Sequence, residues 1–213
     1  MKKGFFITFD GPEGSGKSTH SVRLKDDLTL DGYDVIYTRE PGGTLLGQKI
    51  RDVLLKNEDI KPGKQAELLL FEADRAQHVE EIIKPALDKG KTVICDRFNT
   101  ATFAYQGYGA GMDINMIRSI DDFVTNGIFP DITLILDIEV NMGLSRAGKR
   151  CSADKMEKRP YEFHERVRQG YLDIAKKFPK KVKVIQVKND IDETYKFIKN
   201  EVYDFIGRNK RSG

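Results

Sequence analysis

The sequence predicts an α/β fold, a five-stranded parallel sheet with helices on both faces, and two observations predict it. Five short β-rich apolar runs, Phe5 to Phe9, Val35 to Thr38, Thr92 to Cys95, Ile132 to Leu136 and Val182 to Val187, recur between longer helical patterns, an alternation that makes βαβ units. The first run then leads into Gly11-Pro12-Glu13-Gly14-Ser15-Gly16-Lys17-Ser18-Thr19, whose G-x-x-x-x-G-K-S spacing is that of a P-loop joining a strand to a helix. The runs are apolar at consecutive positions, as strands covered on both faces require.

The helices follow from periodicity. Lys17 to Leu30 places Leu24 and Leu28 on one face, and Lys64 to Leu87 reads as one long helix carrying Val79, Ile82, Ile83, Ala86 and Leu87 at helical spacing. Pro85 lies inside that pattern and predicts a kink or an earlier end. Asp113 to Val124 has Asp113 as its N-cap and a stripe of Ile117, Ile120 and Val124 that suits either the core or a subunit interface. Asp192 to Ile206 puts Phe197, Ile198, Val202, Phe205 and Ile206 on one face before a basic tail, Arg208 to Gly213.

Composition bounds the function. A chain of 213 residues suits one domain spanning 1–213, of a size that hides roughly 70% of its unfolded surface. The 36 basic and 33 acidic side chains leave a net charge of +3. That near balance argues against a dedicated nucleic-acid binder and suits an anionic small substrate. Met1-Lys2-Lys3-Gly4 runs into the first strand without a leader pattern, and no apolar run approaches the ~18 residues of a membrane span. A cytoplasmic protein without membrane or nucleic-acid partners is expected. Cys95 and Cys151 have no metal or disulfide spacing, and His20, His78 and His164 are scattered without ligand spacing.

In open α/β sheets the ligand lies outside the carboxyl ends of the strands. The P-loop follows the first strand there, and its backbone N–H groups and the helix dipole converge on a polyphosphate. Gly11, Gly14 and Gly16 allow close approach and positive φ, Lys17 reaches the β- and γ-phosphates, and the Ser18 hydroxyl sits on Mg²⁺. A glycine-rich turn of matching spacing is the bland alternative. Arg39-Glu40-Pro41-Gly42-Gly43-Thr44 follows the second strand, Asp96-Arg97 the third and Asp137 the fourth. Asp96 stands where P-loop proteins place an acidic Mg²⁺ holder, and Arg97 can fork onto a phosphate. Surface charge or a helix cap would explain the same pair.

Phe71 and Arg75, four residues apart on one helix face, suit stacking and hydrogen bonding to a nucleobase, or else core beside solvated charge. Residues 146–159 carry Arg146, Lys149, Arg150, Lys155, Lys158 and Arg159. The run fits a solvated face or a lid bringing an arginine to a transferring phosphoryl group, an effect worth about 10³ to 10⁵ in rate.

Together these segments resemble the thymidylate kinase family over about Phe5 to Lys177. The carriers are the P-loop with its acidic Glu13, Arg39-Glu40-Pro41-Gly42-Gly43-Thr44, Leu70-Phe71-Glu72-Ala73-Asp74-Arg75, Asp96-Arg97 with Ala104-Tyr105-Gln106-Gly107, and Pro130-Asp131-Ile132-Thr133-Leu134-Ile135-Leu136-Asp137. The resemblance implies an ATP- and Mg²⁺-dependent kinase converting dTMP to dTDP. It implies that Phe71 stacks on thymine, Arg75 bonds its carbonyl and Thr102 or Gln106 completes the base edge. Tyr105 would pack under the sugar, Arg97 would grip the acceptor phosphate, and Glu13 would contact the 3′-hydroxyl or the Mg²⁺ shell. Arg39 and Arg51 fall on the acceptor side. The sequence departs from the common pattern at Ala101, where serine is frequent, and at Glu13, often Asp. Gly14 stands where the eukaryotic type carries a P-loop arginine. Arg150 is therefore the expected catalytic lid arginine, with Arg146 and Lys149 as substitutes, and a homodimer is expected. The competing readings are a kinase for another pyrimidine monophosphate, dUMP or UMP, and a P-loop nucleotide switch or ATPase.

Overall fold

The computed structural model describes residues 4–148 and 154–210. Its sheet has the order β2-β3-β1-β4-β5, with every adjacent pair parallel. The strands are β1 (Phe6–Asp10), β2 (Val35–Arg39), β3 (Thr92–Asp96), β4 (Ile132–Asp137) and β5 (Val182–Gln186). The first four each run one residue past the apolar pattern. Asp10, Arg39, Asp96 and Asp137 thus complete their strands at the carboxyl edge. Register keeps them level: Phe9 pairs with Asp96, Arg39 with Asp96 and Asp10 with Ile135.

β1, β3 and β4 are buried throughout, but β2 and β5 are half-exposed. The expectation of cover on both faces holds only for the interior strands, because an edge strand has a neighbour on one side alone. On one face, Phe5, Ile7 and Phe9 pack with Leu24 and Leu28 of α1 (Lys17–Leu30) and Ile198 and Val202 of α9 (Ile191–Lys210). Phe6 and Val93 face the opposite way, onto Val79, Ile83 and Phe98. Beside them Ile135 meets Val167 and Tyr171 of α8 (Tyr161–Lys177).

The predicted helix over 64–87 is interrupted. α3 (Lys64–His78) and α4 (Lys84–Asp88) flank a wide turn over Val79–Ile83 in which the Lys84 N–H donates to the Val79 carbonyl. Pro85 sits in the first turn of α4, where its missing N–H and its ring are tolerated. Similar i to i+5 turns extend α2 (Leu45–Arg51) over Asp52–Lys56 and α5 (Asn99–Thr102) over Phe103–Gly109, and such turns recur at functional sites. α6 (Ile114–Thr125) starts at Asp113, whose carboxylate accepts from the Asn115 and Met116 N–H groups as an N-cap. Its Ile117 is fully buried whereas Phe123 is 84% exposed. α7 (Val140–Ala147) ends at the predicted basic lid. Among the described residues no helix is long and apolar enough to cross a membrane.

Candidate nucleotide site at the carboxyl edge

The P-loop needs its glycines for two reasons. Gly11, Gly14 and Gly16 have φ of 134°, 66° and 88°, values that L side chains avoid. A Cβ at Gly14 would also lie 2.0 Å from the Gly143 carbonyl oxygen of α7. The same crowding closes position 14 to an arginine unless α7 moves. Within the loop Gly11, Pro12 and Ser15 are buried, and Thr19 is exposed on α1. The Lys17 ammonium donates to the carbonyls of Gly11 (3.0 Å) and Pro12 (2.7 Å) and to the Ser15 hydroxyl (3.2 Å). Burial, with the nearby Arg97 charge, brings its pKa down to about 8 despite the surrounding carboxylates. The Ser18 hydroxyl donates to the Asp96 carboxylate, which places two hard oxygen donors side by side at the loop mouth.

A second cluster joins the P-loop to β3. Arg97, with φ of 70°, donates from Nη2 to Glu13 Oε1 (2.7 Å) and from Nη1 to the Gly11 carbonyl (3.2 Å) and the Tyr171 hydroxyl (3.3 Å). The Tyr105 hydroxyl donates to the same Glu13 oxygen at 2.6 Å, and the Arg97 guanidinium lies 5.2 Å from the Tyr105 ring centroid. Burial alone would raise the Glu13 pKa, but Arg97, Lys17 and the Tyr105 hydroxyl overcome it and hold it at about 2. Arg97 is fixed as a cation by the same carboxylate.

Phe71, Arg75, Thr102, Tyr105, Gln106, Arg97, Arg39 and Arg51 all line one cleft with Glu13, Lys17, Ser18 and Asp96. The two readings of Phe71 and Arg75 therefore separate by side chain: Phe71 is a half-buried wall, while Arg75 is 2% exposed. Arg75 Nε donates to Glu40 Oε2 (2.9 Å), and Nη1 donates to Glu72 Oε1 (2.7 Å) and Asp121 Oδ1 (3.3 Å). Nη2 makes no hydrogen bond among the described residues. Gln106, 2% exposed, donates from Nε2 to Glu67 Oε1 at 3.2 Å. Arg51 Nη1 donates to the Pro41 carbonyl (2.8 Å), and burial beside Arg39 depresses its pKa.

Several residues of this region escape the sequence reading. Glu40 and His78, joined at 2.9 Å with His78 Nε2 bonded to Thr38 Oγ1 at 2.6 Å, hold Arg75 from behind. Asp154, Met156 and Glu157 line the cleft from the segment before α8, where the Lys155 ammonium donates to the carbonyls of Val53 (2.8 Å) and Ile60 (2.7 Å). Asp10 is fully buried with neither carboxylate oxygen bonded among the described residues, and burial pushes its pKa up to about 7 against the pull of Arg97 and Lys17. Asp137, singled out by its strand-end position, lies outside the lining: Arg168 donates to it at 2.7 and 3.0 Å and Gln186 at 2.6 Å. It clamps α8 and β5 to β4. Arg146 lies on α7, outside the cleft lining, and Lys149, Arg150 and Cys151 lie outside the described residues.

A parallel sheet of this order, with a P-loop after its central strand and an acid–arginine pair after the adjacent one, defines a P-loop NTPase fold. Within that class the chain belongs to the thymidylate kinase family, whose model, described as "Thymidylate kinase", matches residues 9–198. It is 43% identical over 202 residues to the thymidylate kinase of an Exiguobacterium species, covering 95% of this chain and 93% of the relative. With the Halothermothrix orenii thymidylate kinase it shares 49% identity over 176 residues, 81% of this chain and 84% of the relative. The crystal structure of thymidylate kinase from Ehrlichia chaffeensis superposes with a TM-score of 0.78 at 39% identity, covering 94% of this chain and 99% of that one.

Proposed function

We propose that this chain transfers the γ-phosphoryl group of ATP to dTMP, giving dTDP and ADP, and so supplies DNA synthesis. The observation that carries the proposal is the continuity of one cleft from Lys17 and Ser18, through Glu13 and Arg97, to Phe71, Arg75 and Gln106. A donor subsite alone would not need the far end. That end offers an aromatic wall, a guanidinium with one free edge and a buried amide, a set suited to a pyrimidine with carbonyls and an N–H.

The acceptor phosphate is ionised near neutrality because its second pKa is about 6, so the reaction needs alignment and positive charge rather than a general base. The P-loop N–H groups and Lys17 hold the donor phosphates. Arg97 grips the acceptor, held over the P-loop by Glu13, and Arg39 and Arg51 add charge on the same side. Tyr105, fixed to Glu13, forms the floor under the sugar. Ser18 and Asp96 are the oxygen donors for Mg²⁺, whose charge offsets that of the β- and γ-phosphates when bound.

The catalytic arginine is Arg150 in a lid of about 146–159, within a single domain spanning 1–213. Docking of residues 155–159 on the cleft wall through Lys155 and Arg159 supports a lid over the acceptor. The active species is a homodimer formed through α2, α3 and α6, which leave Leu45, Leu69, Met116 and Phe123 exposed. Its location is the cytoplasm.

The test is ADP release from Mg-ATP with dTMP, dUMP, UMP, CMP, AMP or no acceptor. Turnover led by dTMP is expected, with a weaker dUMP rate, since a methyl in an apolar pocket contributes about 1 to 3 kcal/mol. Acceptor-independent release would instead make the chain an ATPase or switch.

A further inference from the structure

Gln106 is held in one amide orientation by a residue outside the cleft lining. Its Nε2 donates to Glu67 Oε1 at 3.2 Å, and Glu67 Oε2 accepts from Arg159 Nη2 at 2.6 Å. Glu67 and Gln106 are 5% and 2% exposed, respectively. An ionised carboxylate accepts only, so the amide must turn its NH₂ to Glu67 and its carbonyl away. Gln106 Oε1 makes no hydrogen bond among the described residues and is the amide's open acceptor in the cleft. Arg159 balances the charge that would otherwise be buried alone.

Thymine and uracil carry a donor N–H at ring position 3, whereas cytosine carries a lone pair there. A carbonyl meets the first and repels the second. An unrestrained glutamine could rotate to suit either, so the selectivity of Gln106 depends on what restrains it. We infer that Glu67 is a specificity-determining positioning residue, fixing Gln106 as an acceptor so that the acceptor subsite takes N3–H pyrimidines and rejects cytosine. The inference rests on the proposed dTMP kinase reading. Because Arg159 follows Lys155 in one short segment, docking of residues 155–159 on this wall also steadies the base reader.

The test compares kcat/KM for dTMP with that for 5-methyl-dCMP, which keeps the methyl group and differs at the pairing edge. Glu67→Gln keeps the shape but can donate or accept. It is expected to lower the dTMP to 5-methyl-dCMP ratio about tenfold, the scale of one hydrogen bond between mismatched and matched partners. Glu67→Met, uncharged and similar in length, is expected to give the same fall and serves if Glu67→Gln does not fold. In a Gln106→Ala background neither change should move the ratio further, a result that general loosening of the site would not produce. A wild-type kinase whose ratio survives both Glu67 substitutions, or shifts equally without Gln106, overturns the role of Glu67. Absence of any dTMP-dependent turnover in the wild type overturns the kinase reading instead.

Discussion

Arg97 is the residue at which the fold concentrates conformational cost. A non-glycine residue at φ of 70° costs about 1 to 3 kcal/mol and persists only where its surroundings hold it. Here the side chain is held by Glu13, the Gly11 carbonyl and Tyr171, and the backbone N–H donates to the Phe9 carbonyl at 2.8 Å. The left-handed turn directs the guanidinium from the end of β3 back over the P-loop instead of outward along the strand. Phe71 illustrates the opposite case, a residue with ordinary helical backbone whose value lies in its exposed ring face. Base–aromatic stacking contributes about 1 to 3 kcal/mol, so Phe71→Ala is expected to raise the KM for dTMP about tenfold or more with kcat nearly unchanged. Steady-state kinetics over a dTMP series decides it, and an unaltered KM would leave Phe71 as a core residue only.

Between elements, the polar cluster joining the end of β2, α3 and α6 sets both the position of Arg75 and a pH dependence. Burial pushes Glu72 up to about 7 and Asp74 up to about 6, with Arg75 opposing the first and the Gly42 N–H the second. Burial also raises Asp121, against Arg75 and Asn99, and Glu40 and His78 face the same group. An acid whose folded pKa is raised binds more protons when native, so its contribution is greatest below its unfolded pKa and is lost as pH rises through the folded value. Glu13, lowered to about 2, acts in the reverse sense: its contribution is present above the ordinary carboxylate range and disappears as pH falls toward 2. The contribution of this cluster to stability is therefore expected to decline from about pH 5 to about pH 8, and Glu72→Gln to flatten that decline. Melting temperatures across the range test this, and parallel slopes for the two proteins would remove Glu72 as the source. Little of this cluster was legible in the sequence, because Glu40 and Asp121 stand 35 and 46 residues from the arginine they bind. The P-loop and the strand-end Asp96-Arg97 were legible because their geometry is local. Phe71 and Arg75 were half legible: spacing placed them on one helix, but only the packing around α3 buries Arg75 and leaves Phe71 half-buried along the same cleft. α8 did carry a signal, with Phe163, Val167, Tyr171 and Ala175 every fourth residue and all buried, and the charged residues between them obscured it. The wide turns over 52–56, 79–83 and 103–109 have no comparable signature, since each depends on how the preceding helix is seated.

At the scale of the whole molecule, two demands meet on α3. Its Phe71 and Arg75 line the cleft. Together with α2 and α6 it also leaves Leu69 54%, Phe123 84% and Leu45 79% exposed, apolar side chains of the kind that association covers. Phe123→Glu is expected to shift the solution mass from twice the chain to one chain in light scattering, and an unchanged mass would place the contact elsewhere. The cleft side poses the harder problem, because bringing two polyanions together needs more positive charge than the rigid edge supplies. Lys17 is held by the P-loop carbonyls and Arg97 by Glu13, so both are positioned for bound phosphates rather than for charge that develops during transfer. Position 14, the other place for an arginine, is closed by the Gly143 carbonyl. Beyond Arg39 and Arg51 on the cleft wall, further cations lie in the basic segment after α7, and Arg150 is the residue that the family resemblance puts there. Arg150→Ala is expected to lower kcat at least about 100-fold, near 2.7 kcal/mol of transition-state stabilisation, while ATP affinity stays close to the wild-type value. Single-turnover rates together with ATP binding separate the two effects. A near-normal rate would transfer the role to Arg146 or Lys149, and a parallel loss of ATP affinity would make Arg150 a ground-state contact.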